Sequence, residues 1–165
     1  MRLIRLALLY AVASSVTIAT PVSARNVVAD VSQISDLMKR KGYSVEVKTD
    51  KDESFIVSSR GKEGYSFRLF FYGCTEGTMK NCKSVQMFAG FRPKVKPTLE
   101  ALNSYARENR WGRIYKDKDG DPIIEMDLDL EKGGMSEELF LDNLEYFETV
   151  LDNFGDFAFK GDPAA

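Results

Sequence analysis

Apolar residues recur at helical spacing in three stretches of this chain and alternate with polar ones in six others. Val31, Ile34, Leu37 and Met38 follow Asp30 at steps of three and four, and Gly42 comes after Lys39-Arg40-Lys41, which predicts a first helix over 30–41. Val45 and Val47 mark a strand over 44–48, the polar run Thr49-Asp50-Lys51-Asp52-Glu53 turns the chain, and 54–60 returns as a second strand. After the turn Gly61-Lys62-Glu63-Gly64, the residues Tyr65, Phe67, Leu69 and Phe71 share one face of a third strand. Arg68, Phe70 and Tyr72 share its other face, so this strand is apolar on both sides and belongs in the middle of a sheet. Val85, Met87, Ala89 and Phe91 line one face of a fourth strand.

Pro93 and Pro97 bracket a connection, and Thr98 caps a second helix whose predicted buried stripe is Leu99, Leu102, Tyr105 and Ala106, ended by Trp111-Gly112. Strands over 113–116 and 122–130 flank Asp119-Gly120, a dipeptide suited to a tight hairpin. In the second of them Ile124, Met126, Leu128 and Leu130 face the core, and Glu125, Asp127 and Asp129 face water. Gly133-Gly134 then breaks the chain and Ser136 caps a long last helix carrying Phe140, Leu144, Phe147, Leu151 and Phe154, with Glu137 and Glu138 in the dipole-favoured first turn. The order α-β-β-β-β-α-β-β-α predicts an α+β domain, an antiparallel sheet flanked by helices, with 161–165 as a frayed tail.

The N-terminus changes the picture. A short basic start, Met1-Arg2-Leu3-Ile4-Arg5, precedes an apolar stretch from Leu6 to Ala19, and Val22-Ser23-Ala24 presents small residues for cleavage. Residues 1–24 therefore read as a secretory signal peptide, too short for a membrane anchor and interrupted by Pro21. Residues 25–165 form a single domain, and no second long apolar run suggests a membrane span. Charge is divided along this domain. Through Lys116 there are 18 basic and 10 acidic residues, and from Asp117 onward 3 basic and 15 acidic. The simplest reading is that the two portions fold together and neutralise each other. Scattered basic residues and an exported chain argue against a nucleic-acid role.

Cys74 and Cys82, the only cysteines, sit at the facing ends of strands three and four, with seven residues between them. In an oxidising compartment this predicts a structural staple, since the spacing is not the C-x-x-C of redox catalysts. Histidine is absent, which removes the usual general base and the commonest transition-metal ligand. Asp117-Lys118-Asp119-Gly120-Asp121 resembles the start of a calcium loop, but neither register supplies both the glycine and the closing glutamate. Glu125, Asp127 and Asp129 are explained by a solvated strand face. No cofactor is implied.

Two clusters remain as candidate sites. Phe70, Tyr72 and Phe88, close to Arg68, fall on the faces opposite the core stripe and form a candidate partner-binding patch. The blander reading has the second or third helix covering them. Arg107, Arg110, Trp111 and Arg113 form a candidate ligand-binding cluster, against a reading in which the cations suit a helix end and the single Trp closes the core.

Gly42-Tyr43, Phe71-Tyr72-Gly73-Cys74, Cys82-Lys83-Ser84-Val85-Gln86, Arg107 to Arg113, Gly120-Asp121-Pro122 and Gly133-Gly134 together resemble the exported branch of the bacterial YbjN-domain family. The resemblance runs from about Val28 to Phe157. Tyr105-Ala106 stand where the family has a Trp-Asn pair. The resemblance implies a fold similar to the type III secretion chaperones, which often pair as dimers, and the label of a sensory transduction regulator with no reaction attached. The expectation is a non-enzymatic module, periplasmic or extracellular, that docks a protein or peptide partner or a second copy of itself. The competing expectations are a small-ligand sensor built on the Arg107–Arg113 cluster and a histidine-free enzyme.

Overall fold

The computed structural model describes residues 26–50, 53–60, 64–76 and 78–163. The stretch 1–24 that the sequence reads as a signal peptide, the predicted turn residues 51–52 and 61–63, and the last two residues of the predicted tail lie outside the described residues. Three helices and six strands follow the predicted order: α1 (Val31–Arg40), β1 (Tyr43–Asp50), β2 (Glu53–Arg60), β3 (Phe67–Tyr72), β4 (Ser84–Gly90), α2 (Leu99–Glu108), β5 (Arg113–Lys116), β6 (Pro122–Asp129) and α3 (Glu137–Phe159).

The strands form one antiparallel sheet in the order β1-β2-β3-β4-β6-β5. β6 inserts beside β4 because its helix-facing residues Ile124, Met126 and Leu128 are the apolar partners of Ala89, Met87 and Val85. The four-residue β5 is left at the edge. All three helix starts are capped as their sequences dictate, with the side chains of Asp30, Thr98 and Ser136 accepting from the backbone N–H of Gln33, Ala101 and Leu139.

One face of the sheet carries the core. Ile56, Phe67, Leu69, Val85, Met87 and Ile124 are sealed beneath Ile34, Leu37 and Met38 of α1 and Phe140, Leu144, Phe147, Leu151 and Phe154 of α3. Phe67 meets Phe147 edge to face at 5.6 Å, and Phe91 meets Phe154 in the same way. α2 joins this layer through Tyr105, whose ring lies against Phe154 and Phe157 of α3. All three helices therefore stack on the same side. Phe70, Tyr72 and Phe88 point to the other side, so the expectation that the second or third helix covers them is corrected.

Other expectations are also corrected. Leu99 is 66 % exposed and Ala106 is exposed, so the α2 stripe reduces to Leu102 and Tyr105, because this short helix leans on α3 and β5 along one narrow line. Tyr65 leaves the third strand and its ring packs against Phe91 and Phe159. The chain is not frayed at 161–162, since the Asp162 carboxylate accepts from the backbone N–H of Lys94 and Val95. These two bonds hold the Asp162 carboxyl below the usual carboxylate range.

The charge division resolves as predicted. Arg40 pairs with Glu137, Lys83 with Glu131, Lys96 and Arg92 with Asp121, and Arg113 with Glu125, each joining the basic portion to the acidic one. Cys74 and Cys82 are disulfide-bonded. A short strap that sequence patterning missed runs beside this staple: Val27 bridges to Met135 and Ala29 to Cys82, tying the start of the domain to the stapled hairpin and to the turn before α3.

Candidate functional site

Because side chains alternate across a strand, the register fixes which residues share the uncovered face. One row crosses all six strands as Glu46, Val57, Arg68, Phe88, Glu125 and Arg113. The next contains Lys48, Phe55, Phe70, Gln86 and Asp127, and a third contains Tyr72, Ser84 and Asp129. The rings of Phe55 and Phe70 lie 5.3 Å apart, and Phe88 meets Phe70 edge to face at 5.7 Å. With Val57 they form a half-buried apolar strip in which each ring shields its neighbours and the outer side faces solvent. The Arg68 guanidinium sits over the Phe55 ring at 5.7 Å. Tyr72, 46 % exposed, stands at one end and donates to Gln86, which in turn donates to Asp127.

Sequence patterning placed Arg68, Phe70, Tyr72 and Phe88 here and missed Phe55 and Val57, whose strand was read without assigning faces. The alternation of β2 was the available signal. Beside the strip, a groove of about 680 Å³ opens at the end of the sheet next to the β5–β6 turn, lined by Val57, Arg68 and Phe88 of the bare face together with Tyr65, Phe91 and Phe159 of the helix side.

At the other edge, Glu125 is only 5 % exposed, which corrects its assignment to a wet strand face. Its carboxylate accepts from the Arg113 guanidinium and from the Tyr115 hydroxyl at 2.6 Å. A buried carboxylate tolerates this position because two donors replace its water. Burial first, then the bond to Glu125 and its charge, push the Tyr115 hydroxyl up to about 12, and Glu125 holds the proton on Arg113 more tightly than usual. This carboxylate is a fixed anchor for the β5 edge, with its oxygens committed to neighbours.

The Arg107–Arg113 stretch is divided between two surfaces. Arg113 lies on the uncovered sheet face. Trp111, at φ +81°, turns the chain from α2 into β5, rests against Tyr146 of α3 at 4.9 Å and carries Arg110 over its own ring at 5.2 Å. It is 51 % exposed and does not close the core, which corrects that reading. Arg107 bonds only to the Ser104 hydroxyl of its own helix among the described contacts. Among the described residues no group of three or more His, Cys, Asp or Glu side chains is placed to hold a metal ion, and no helix is long and apolar enough to cross a membrane.

The fold and its surface define a helix-backed antiparallel sheet with one face left bare and aromatic. The family follows from comparison: residues 30–160 match the YbjN model, described as "Putative bacterial sensory transduction regulator", and the chain belongs to that family. No curated protein and no solved structure matches the chain.

Proposed function

We propose that this protein is an exported, non-enzymatic regulatory module that works by holding another protein surface against its uncovered sheet face. One observation carries the reading. All three helices pack on one side of a six-stranded sheet, leaving Phe55, Val57, Phe70 and Phe88 as a central apolar strip bordered by Arg68, Glu46, Lys48 and Asp127. An apolar centre with a polar rim is the anatomy of a protein–protein interface. Membership of a family described as a regulator supports the same reading.

Export is supported by the residue pattern of 1–24 and by the Cys74–Cys82 bridge, which an oxidising compartment preserves. The small-ligand alternative is weakened by the separation of Arg113 from Trp111, and the enzymatic one by the commitment of Glu125 to Arg113 and Tyr115.

The test is crosslinking of tagged protein in the cell envelope, with mass spectrometry of what is recovered. A reproducible partner that disappears when Phe88→Asp is introduced, with circular dichroism unchanged, supports the reading. Recovery that is indifferent to Phe88→Asp contradicts it. The intact mass of the recovered chain locates the cleavage site, expected after Ala24.

A further inference from the structure

We propose that the groove at the end of the sheet is a binding site for an apolar carboxylate, a small molecule with a hydrocarbon or aromatic body and one anionic head. None of Arg107, Arg110, Trp111 and Arg113 lines it. It goes beyond the docking reading and does not rest on it, although Val57, Arg68 and Phe88 border both surfaces. The site is built where the sheet forks. β3 pairs with β2 as far as Phe67, and β4 pairs with β6 as far as Gly90, but the register between β3 and β4 stops at Arg68 and Phe88. Beyond that point the two strands part, and the groove of about 680 Å³ lies in the gap.

The fork stays open because small residues line it, among them Ser66, Ala89 and Gly90. A methyl group added at Gly90 would lie 2.8 Å from the end of the Ile123 side chain and 3.8 Å from the Phe88 ring, so any side chain there would crowd the wall that these two form. Val57, Phe88 and Ile123 bound the groove on the bare face. Tyr65, Phe91 and Phe159, whose rings pack on one another, bound it on the helix side. Its volume falls within the roughly 300–1,000 Å³ of small-molecule pockets, which are walled mainly by apolar and aromatic side chains with a few polar groups to orient the ligand.

Arg68, Arg92, Asp117 and Asp121 supply the charge around these walls, and their commitments differ. Asp117 accepts from the backbone N–H of Asp119 and Asp121, which ties it to the β5–β6 turn. Asp121 is held by the Lys96 ammonium at 2.9 Å. Arg92 stands 3.8 Å from Asp121 with its side chain 93 % exposed, and Arg68 has the Phe55 ring and no carboxylate as partner among the described residues. Two guanidinium groups are therefore left with donors to offer, and a guanidinium meets a carboxylate with two parallel hydrogen bonds. The aspartates limit the charge of the ligand: they repel a molecule with several anionic groups, whereas a single head can be met by an arginine alone.

The test is isothermal titration calorimetry on protein purified after export, with octanoate and 4-phenylbutyrate as probes and acetate and 1-octanol as controls. The two probes should bind saturably, and acetate, which lacks the body, and 1-octanol, which lacks the charge, should each bind roughly tenfold more weakly or worse. Arg68→Ala combined with Arg92→Ala should weaken octanoate by roughly tenfold or more and leave 1-octanol unchanged. Both arginines are exposed, so an unchanged melting temperature should show that the double variant is folded. In methyl NMR spectra, octanoate should shift Ile123 and Val57 together. Absence of saturable binding by both probes, 1-octanol binding as tightly as octanoate, or affinity indifferent to the double variant overturns the proposal. Shifts that leave Ile123 unmoved overturn it too, because Ile123 belongs to the fork and not to the aromatic strip. The docking reading is judged separately by the Phe88→Asp crosslinking, so the failure of one leaves the other standing.

Discussion

Truncating two phenylalanines on adjacent strands, Phe67→Ala on β3 and Phe88→Ala on β4, measures how differently the two faces of the sheet are covered. Phe67 is fully buried and packs edge to face on Phe147 of α3. Removing its ring opens a cavity that α3 cannot collapse into, because Phe140, Leu144 and Phe154 hold the helix in place, and the cost should be about 3–5 kcal/mol. Phe88 is half-buried against Phe70 on the bare face. Its loss surrenders only part of the about 1.5–3 kcal/mol that full burial is worth and leaves no void, since water enters, so about 1 kcal/mol is expected. At about 3 °C per kcal/mol for a domain of this size, the two variants should melt roughly 10 °C apart. The assay is urea unfolding followed by circular dichroism, repeated at several dilutions so that association does not contribute. Equal costs for the two variants would refute the reasoning, because they would mean that the second face is sealed as tightly as the first.

Reduction of the Cys74–Cys82 bridge should lower stability by about 2–3 kcal/mol in the chain-entropy model for so short a loop, read as a fall in melting temperature on adding a reductant; superimposed melting curves would count against a structural role. The Tyr115 hydroxyl should titrate near its raised value of about 12 in an ultraviolet pH titration, and Glu125→Gln should bring it down towards the ordinary value. The folded state binds this proton more tightly than the unfolded chain, so the stability it contributes is complete below about pH 10 and is lost as pH rises towards 12. Gly155→Ala should destabilise the protein although alanine is the better helix former by about 1 kcal/mol, because a methyl group there would run into the Tyr65 ring. A melting temperature raised by Gly155→Ala would show that Tyr65 is not packed on α3.

The periodicities of the chain carried most of the fold. All nine elements appear where alternation and helical spacing put them, because apolar residues such as Ile34, Phe67, Met87, Ile124 and Phe147 have one face to bury and a fixed step on which to do so. Strand order was less legible: the placement of β6 beside β4 depends on pairings between distant segments that no local pattern records. Coverage of the faces was legible only as a choice. Phe70 and Phe88 alternate out of the core stripe whether or not a helix caps them, and only the three-dimensional lean of α2 onto α3 decides that none does. Glu125 was misread for a related reason. The other acids on its strand face, Asp127 and Asp129, are exposed, and the donors that let it stay buried, Arg113 and Tyr115, come from another strand. The strap at Val27 and Ala29 has too few residues to show a period at all.

The most direct test of a docking face is to place a photocrosslinking side chain at Tyr72, on the bare side of the sheet, and separately at Asp152, exposed on α3 at the helix side, in protein exported to the cell envelope. The account predicts a defined crosslinked species from position 72 and none from position 152. Crosslinks from position 152 with none from position 72 would put the binding surface on the helices and contradict it.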